Sequence, residues 1–282
     1  MQVLHTIERV REQVRAWNKA GESVAFVPTM GNLHAGHLAL VARARECADR
    51  VVVSIFVNPL QFGKGEDLEA YPRTPAEDQQ KLVAAATDLL FMPEEQEIYP
   101  HGRDGVTFVE VPGISDLLCG ASRPGHFRGV ATVVCKLLNI VQPDVACFGQ
   151  KDFQQLAVLR RMVNELNMPL EVVGGPTVRE ADGLAMSSRN RYLTAAERER
   201  APAIYQILQT LEQWLRQGQR DFSALEQEGR AMLQRAGLQP DYLVVRRTDD
   251  LLPPMGGESS LVLLAAAYLG RARLIDNVLI EL

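Results

Sequence analysis

The first two-thirds of the chain alternates short continuous apolar runs with stretches of helical periodicity. Ile7, Val10, Val14 and Trp17 recur at helical spacing and predict an amphipathic helix at the start. Ser23–Val27 is an apolar run closed by Pro28, Val51–Val57 is a second run broken only by Ser54, and Asp88–Phe91 is a third. Between them, Gly36–Asp49 and Pro75–Ala86 carry helical spacing, the latter with proline at its first position. The rhythm continues with a helix over Gly129–Ile140, a strand over Val145–Phe148, a helix over Asp152–Leu166 and a strand over Leu170–Val173. Strands that are apolar throughout, and separated by helices, predict a parallel sheet covered on both faces.

After about residue 175 the order changes. Thr194–Arg216 and Phe222–Arg235 read as long polar helices, followed by strands over Tyr242–Arg246, Ser260–Ala267 and Leu274–Leu279. Helices followed by strands suit an α+β unit. The expected fold class is therefore α/β: a Rossmann-like doubly wound parallel sheet over 1–175, with a smaller C-terminal α+β domain over 176–282. Two domains also match the soft prior for 282 residues. Loops at 58–74 and 93–105 are long and rich in Gly and Pro, which suits functional lids, and the segment Gly63–Ala70 is read as one over a substrate.

Composition narrows the function classes. Hydrophobic residues make up 46% and charged residues 23%, ordinary for a globular protein that can enclose a site. A net charge of -5 offers no dense basic stripe, so nucleic acid is not an expected partner, and an anion must be held by a local site. No apolar run approaches the roughly 20 residues that span a bilayer, and the N-terminus lacks a signal-peptide core, so a cytoplasmic location without membrane attachment is expected. Cys47, Cys119, Cys135 and Cys147 form no C-x-x-C pair and read as reduced thiols.

Four clusters could carry chemistry. Pro28–His37, PTMGNLHAGH, lies between the first apolar strand and its helix, where open α/β sheets bind ligands. Helix amides and dipole favour a phosphate there, Gly31 and Gly36 admit close approach, and His34 and His37 can donate to phosphate oxygens. The plain alternative is that a histidine merely caps the helix. Asn58 and Gln61 follow the next strand, and neutral amides suit a hydroxylated substrate, although Asn-Pro also makes ordinary turns. Gly149–Asp152 ends another strand: Lys151 is a point charge for phosphate, Asp152 a helix cap, and Gln155 lies one turn on. Met186, Ser187, Ser188 and Arg189 place two hydroxyls beside a guanidinium, an anion clamp or an ordinary polar loop.

PTMGNLHAGH resembles the HxGH signature of the nucleotidylyltransferase superfamily, shared with class I aminoacyl-tRNA synthetases. VSIFVNPLQFG (53–63), YPRT (71–74), SRPGHFRGV (122–130), FGQKDFQQL (148–156), DGLAMSSRNRYL (182–193) and the closing RLIDNVLIEL narrow the resemblance to the pantothenate synthetase, or pantoate–β-alanine ligase, family. The resemblance implies that pantoate attacks the α-phosphorus of ATP, giving a pantoyl adenylate and pyrophosphate, after which β-alanine displaces AMP. By matching, His34 and His37 hold ATP phosphates, with His37 the first choice for catalysis and Lys151 beside them. Met30, Gly31, Gly149, Gln150, Asp152, Val178, Met186, Ser187, Ser188 and Arg189 line the ATP site, Val178 through its backbone. Gln61 and Gln155 hydrogen-bond pantoate with Asn58 alongside, and Arg123 lies near the phosphates. Mg²⁺ accompanies ATP, with Asp78 either a protein ligand or a solvated residue of a helix's first turn. A homodimer is implied too. The family more often has Glu where Gln150 stands, a change that removes a charge beside Lys151 and not a donor. A nucleotidyltransferase shares the histidines, and a non-catalytic sensor could share the fold; Gln61 and Gln155 favour the ligase, and the intact set of histidines, lysine and clamp argues against the sensor.

Overall fold

A computed structural model describes residues 1–63, 65–66 and 68–282; Lys64 and Asp67, both within the expected lid Gly63–Ala70, lie outside the described residues. The chain divides into two compact units, Met1–Gln150 with Gln155–Pro176 and Lys151–Gln154 with Thr177–Leu282. Nothing in the sequence signals that Lys151–Gln154 groups with the second unit.

In chain order the elements up to residue 175 are β1 (Gln2–Leu4), α1 (Ile7–Lys19), β2 (Val24–Thr29), α2 (Ala35–Cys47), β3 (Arg50–Ile55), α3 (Pro75–Ala84), β4 (Leu89–Phe91), α4 (Glu95–Ile98), α5 (Cys119–Ser122), α6 (His126–Val141), β5 (Val145–Gly149), α7 (Phe153–Glu165) and β6 (Glu171–Gly175). The six strands form one sheet in the order β1-β4-β3-β2-β5-β6, every pair parallel. After the edge strand β1 the chain enters the middle of the sheet at β2, moves outward through β3 and β4, then restarts at β5 on the other side of β2. That reversal opens a crevice at the carboxyl ends of β2 and β5, where a doubly wound sheet binds ligands.

Alternation along the strands divides the core. Ala25, Val27, Val51, Val53, Leu90, Val145 and Cys147 face Val41 and Ala44 of α2 and Leu82 of α3. Phe26 and Val52 are fully buried on the opposite face, where α1 and α6 pack. Burial pushes the Cys147 thiol up to about 12, so it stays protonated in the core. No disulfide joins described residues.

The structure departs from the sequence reading at several ends. β2 continues through Pro28 to Thr29, because the missing N–H of Pro28 falls where β5 no longer pairs: β5 meets β2 only at Ala25 and Phe26. The helix expected from Gly129 begins at His126, and the three-residue β1 carries too little pattern to be read.

The second unit holds α8 (Ala195–Arg200), α9 (Ala203–Arg216), α10 (Phe222–Arg235) and the antiparallel sheet β7 (Gln239–Arg247), β8 (Ser260–Leu269) and β9 (Ala272–Glu281), in that spatial order. The single helix expected over Thr194–Arg216 is two, divided at Pro202, which cannot donate to a preceding carbonyl. Nor is its second part polar: Ile204, Ile207, Leu208, Leu211 and Leu215 of α9 are buried against Leu243, Val245, Leu261 and Leu263 of the sheet. No helix among the described residues is long and apolar enough to cross a membrane.

Candidate active site

The buried β2–α2 turn is held by a device the sequence reading missed. Gly31 (φ +82°) and Asn32 (φ +51°) are consecutive left-handed residues, and they turn two successive amides to one side. The Asn32 N–H donates to Asp78 Oδ2 at 2.8 Å and the Leu33 N–H to Oδ1 at 2.7 Å. Thr74 Oγ1 adds a third bond to Oδ2 at 3.2 Å. Asp78 is 1% exposed, which corrects the reading of it as a solvated residue: both carboxylate oxygens accept bonds from the turn. One helical step further, Lys81 Nζ donates to the Leu33 carbonyl at 2.8 Å. Helix α3 therefore grips the turn at both its amides and its carbonyl. Glycine is required at 31, where an added Cβ would sit 3.0 Å from Ile55 Cγ2 and 3.2 Å from Asp78 Oδ2. From the strand side, the Gly31 N–H donates to Thr29 Oγ1, whose own proton goes to the Ser54 carbonyl.

Both signature histidines cap α2, and the way they do so fixes their protons. His34 Nδ1 accepts the Gly36 N–H at 3.1 Å, and His37 Nδ1 accepts the His34 N–H at 3.3 Å, a reciprocal capping box. A backbone N–H only donates, so Nδ1 carries no proton in either ring and the neutral tautomer places it on Nε2. The rings lie 4.1 Å apart between centroids. The cap uses Nδ1 of each ring, so capping α2 and binding a phosphate through Nε2 do not exclude one another.

After β3, a 3₁₀ turn over Pro59–Gln61 carries the two amides. Gln61 Nε2 donates to Met30 Sδ at 3.0 Å, and Asn58 Nδ2 donates to Gln61 Oε1 at 3.1 Å, so Met30, Asn58 and Gln61 form one row. Asn58 is 1% exposed, and its polar atoms are committed inside the protein: Nδ2 also reaches the Gly129 carbonyl at 3.1 Å, and Oδ1 accepts from Tyr99 Oη at 2.7 Å and from the Leu60 N–H. Asn58 orients Gln61; it does not stand in line for a ligand, which corrects its place beside Gln61 as a contact. Burial pushes the Tyr99 phenol up, with the Glu95 charge adding to the effect, so Tyr99 remains the donor. Gly129 of α6 backs this turn at a distance no other residue allows: an added Cβ would overlap the Leu60 carbonyl and lie 2.7 Å from the Gln61 nitrogen.

Arg123 is engaged elsewhere than expected. Its guanidinium forms a bidentate pair with Glu66 (Nε and Nη2, each 2.6 Å), donates to the Gln61 carbonyl at 3.3 Å and meets His126 Nε2 at 3.0 Å. Arginine only donates, so His126 Nε2 accepts and its Nδ1–H goes to the Gln61 carbonyl at 2.8 Å. Burial pushes the Glu66 carboxyl up, but the Arg123 hydrogen bonds and charge outweigh it and hold the group below the usual carboxylate range. The structure thus gives Arg123 a latch that ties Glu66 to the Gln61 turn. Gly149 ends β5, Gln150 opens the 3₁₀ turn that follows, and Gln155 lies half-buried in the first turn of α7.

The second unit carries the remaining residues. Lys151 and Asp152 close a 3₁₀ turn, Nζ to Oδ1 at 3.9 Å. The Val178 carbonyl accepts the Met186 N–H at 3.0 Å, so one of its two main-chain groups is already used. Ser187 caps the 3₁₀ turn Ser188–Tyr192 by accepting the Arg189 N–H at 3.2 Å, which holds Ser188 and Arg189 in register. Among the described residues no three His, Cys, Asp or Glu side chains form a group able to hold a metal.

Residues 2–279 match the family model described as Pantoate-beta-alanine ligase. The chain belongs to the pantoate–β-alanine ligase family. It is 62% identical over 272 residues to the pantothenate synthetase of Shewanella amazonensis, covering 96% of each chain, and 57% identical to that of Pseudomonas aeruginosa over the whole of both. Among solved structures, the pantothenate synthetase of Thermus thermophilus superposes with a TM-score of 0.92 at 46% identity, over 99% of each chain. A pantoate-β-alanine ligase from Francisella tularensis, complexed with Beta-gamma ATP and β-alanine, matches with a TM-score of 0.82 at 36% identity, over 99% of this chain and 97% of that one.

Proposed function

We propose that this chain condenses pantoate with β-alanine at the expense of ATP, through a pantoyl adenylate. The observation that carries the reading is the His34–His37 capping box, which fixes both Nδ1 atoms as acceptors in the turn after β2, together with the Met30–Gln61–Asn58 row that links this turn to the one after β3. In the first half-reaction a pantoate carboxylate oxygen attacks the α-phosphorus and pyrophosphate leaves. Negative charge grows on the phosphate oxygens, and His37 and His34 donate to them without reorganising, since their tautomers are already fixed. The α2 amides and the Lys151 ammonium add positive potential for the phosphates. Gly31, Gly149, Gln150, Asp152, Val178 and Met186 to Arg189 are the residues that the family resemblance assigns to the nucleotide. Gln61 and Gln155 hold the pantoate hydroxyls. In the second half-reaction the β-alanine amine attacks the activated carbonyl, AMP departs with the bonding pair, and the nitrogen loses its proton. Retaining the adenylate makes this attack effectively unimolecular.

The donor set does not build a protein metal site, because Asp78 is committed to the turn and no carboxylate cluster among the described residues replaces it. Mg²⁺ then enters with the nucleotide, held mainly by phosphate oxygens and water. The reading also takes from the family resemblance a homodimer working in the cytoplasm; light scattering of the purified protein measures the first of these. The central test is isotope exchange between pyrophosphate and ATP. Exchange that requires pantoate, followed by AMP release only on adding β-alanine, is expected. Folded protein that binds ATP yet shows no pantoate-dependent exchange would refute the ligase reading, and transfer of the nucleotide to a phosphorylated acceptor would then identify a nucleotidyltransferase.

A further inference from the structure

In the second unit a buried carboxylate ties together two segments that the proposed function assigns to phosphate. Asp276 lies mid-strand in β9 with a fully buried side chain. Arg179 pairs with it bidentately, Nη1 to Oδ2 at 2.6 Å and Nη2 to Oδ1 at 2.9 Å, and Oδ1 also accepts the Asn277 N–H at 2.8 Å. Asn277 passes the connection on: its Nδ2 donates to the Lys151 carbonyl at 2.9 Å. At the other end, Arg179 stacks 3.5 Å over the Tyr205 ring and donates to the Gly183 carbonyl at 3.1 Å. Arg179 bridges Ala185 in a tight antiparallel hairpin whose next residues are Met186 and Ser187. Lys151, Ser187, Asn190 and Asp276 converge on one cavity of about 10 Å³, the size of a single water.

A buried ion pair is a poor way to stabilise a core, since apolar residues of similar volume usually do as well or better. What this pair supplies is geometry. Two consecutive polar residues inside the apolar run Leu274–Ile280 of β9 hold the Lys151 main chain on one side and the Ser187 hairpin on the other. Resting on the proposed function, we infer that Asp276 and Asn277 are positioning residues for adenylation: they set where the Lys151 ammonium stands relative to the Ser187–Arg189 turn, without touching substrate themselves.

The test separates the two half-reactions in the full chain. Asn277→Ala removes the bond to the Lys151 carbonyl, and Asn277→Asp keeps the shape but replaces the donor by an acceptor. Both are expected to lower kcat for pantoate-dependent pyrophosphate–ATP exchange about tenfold, the worth of one hydrogen bond expressed in the transition state. The rate at which β-alanine consumes supplied pantoyl adenylate should stay near wild type, whereas the Tm falls in both variants, because the Lys151 carbonyl loses its donor and Asn277→Asp buries a second carboxylate beside Asp276. Lys151→Ala, run in parallel, reads the lysine itself. If Lys151→Ala slows exchange and Asn277→Asp does not, the positioning role is wrong. If Asn277→Ala slows both half-reactions equally, the residue is structural and the inference is likewise overturned. If wild-type protein shows no pantoate-dependent exchange, the ligase reading fails and takes the inference with it.

Discussion

Asp78→Asn tests the reassignment of Asp78 from metal ligand to brace of the signature turn. In the structure two buried amides and one hydroxyl converge on its carboxylate. Hydrogen bonds to a charged group contribute about 1.5–3 kcal/mol each, and a buried donor left without an acceptor costs about 1–3 kcal/mol. Asparagine keeps one acceptor and turns an NH₂ toward the other amide, so one charged bond is lost, one weakened, and an N–H facing an N–H must move apart. The sum is a loss of about 2–4 kcal/mol. Denaturant unfolding measures it as a drop in midpoint at unchanged m-value. Because the amides of Asn32 and Leu33 lead directly into His34, the nucleotide should bind more weakly as well. The Mg²⁺ concentration that half-saturates pyrophosphate exchange should not move beyond what weaker ATP binding explains. A variant as stable as wild type, whose only defect is a raised Mg²⁺ requirement, would show that the carboxylate serves a metal and that the brace is incidental.

Two further outcomes follow from the same side of the site. Gly129→Ala should push the Pro59–Gln61 turn away from α6, costing about 1–3 kcal/mol by overpacking and raising the KM for pantoate more than that for ATP; equal changes in both would show that the turn does not set the pantoate pocket. The Glu66–Arg123 latch has a folded carboxyl pKa below its unfolded value, so its stabilisation is present above the ordinary carboxylate range and is lost as pH falls through the lowered folded value. A fluorescent probe beside Glu66 should therefore report release as the pH falls below the ordinary carboxylate range, and Glu66→Gln should abolish that transition; a transition unchanged in Glu66→Gln would place the titrating group elsewhere.

What could be read from the sequence and what could not divide along one physical line. Continuous apolar strands, and glycines and histidines at a strand–helix junction, declare themselves locally, and so the parallel sheet and the PTMGNLHAGH turn were both legible. Pro202 was a local signal too, a proline inside a helical pattern, and the division between α8 and α9 follows from its missing donor. Asp78, by contrast, sits in the first turn of a helix, where a carboxylate has the same local pattern whether it faces solvent or is 1% exposed, as here. Only the contact with amides 45 and 46 residues away distinguishes the two. Asn58 shows the same limit in reverse. Its position at the end of β3 marks it as a site residue, but whether it meets the ligand or holds Gln61 depends on Tyr99 and Gly129, which no spacing rule connects to it. Asp276 and Asn277 did leave a local trace, a polar pair inside the apolar run of β9, where burial of both breaks the alternation expected of a strand with one face solvated. A buried polar pair costs free energy unless it is fully hydrogen-bonded, so its partners had to exist; their identity, Arg179 and the Lys151 carbonyl, required the fold. Residues that act through their own chemistry are thus legible by type and position. Residues that act by holding others become legible only when their partners are located, and in this chain they include Asp78, Lys81, Asn58 and Asp276.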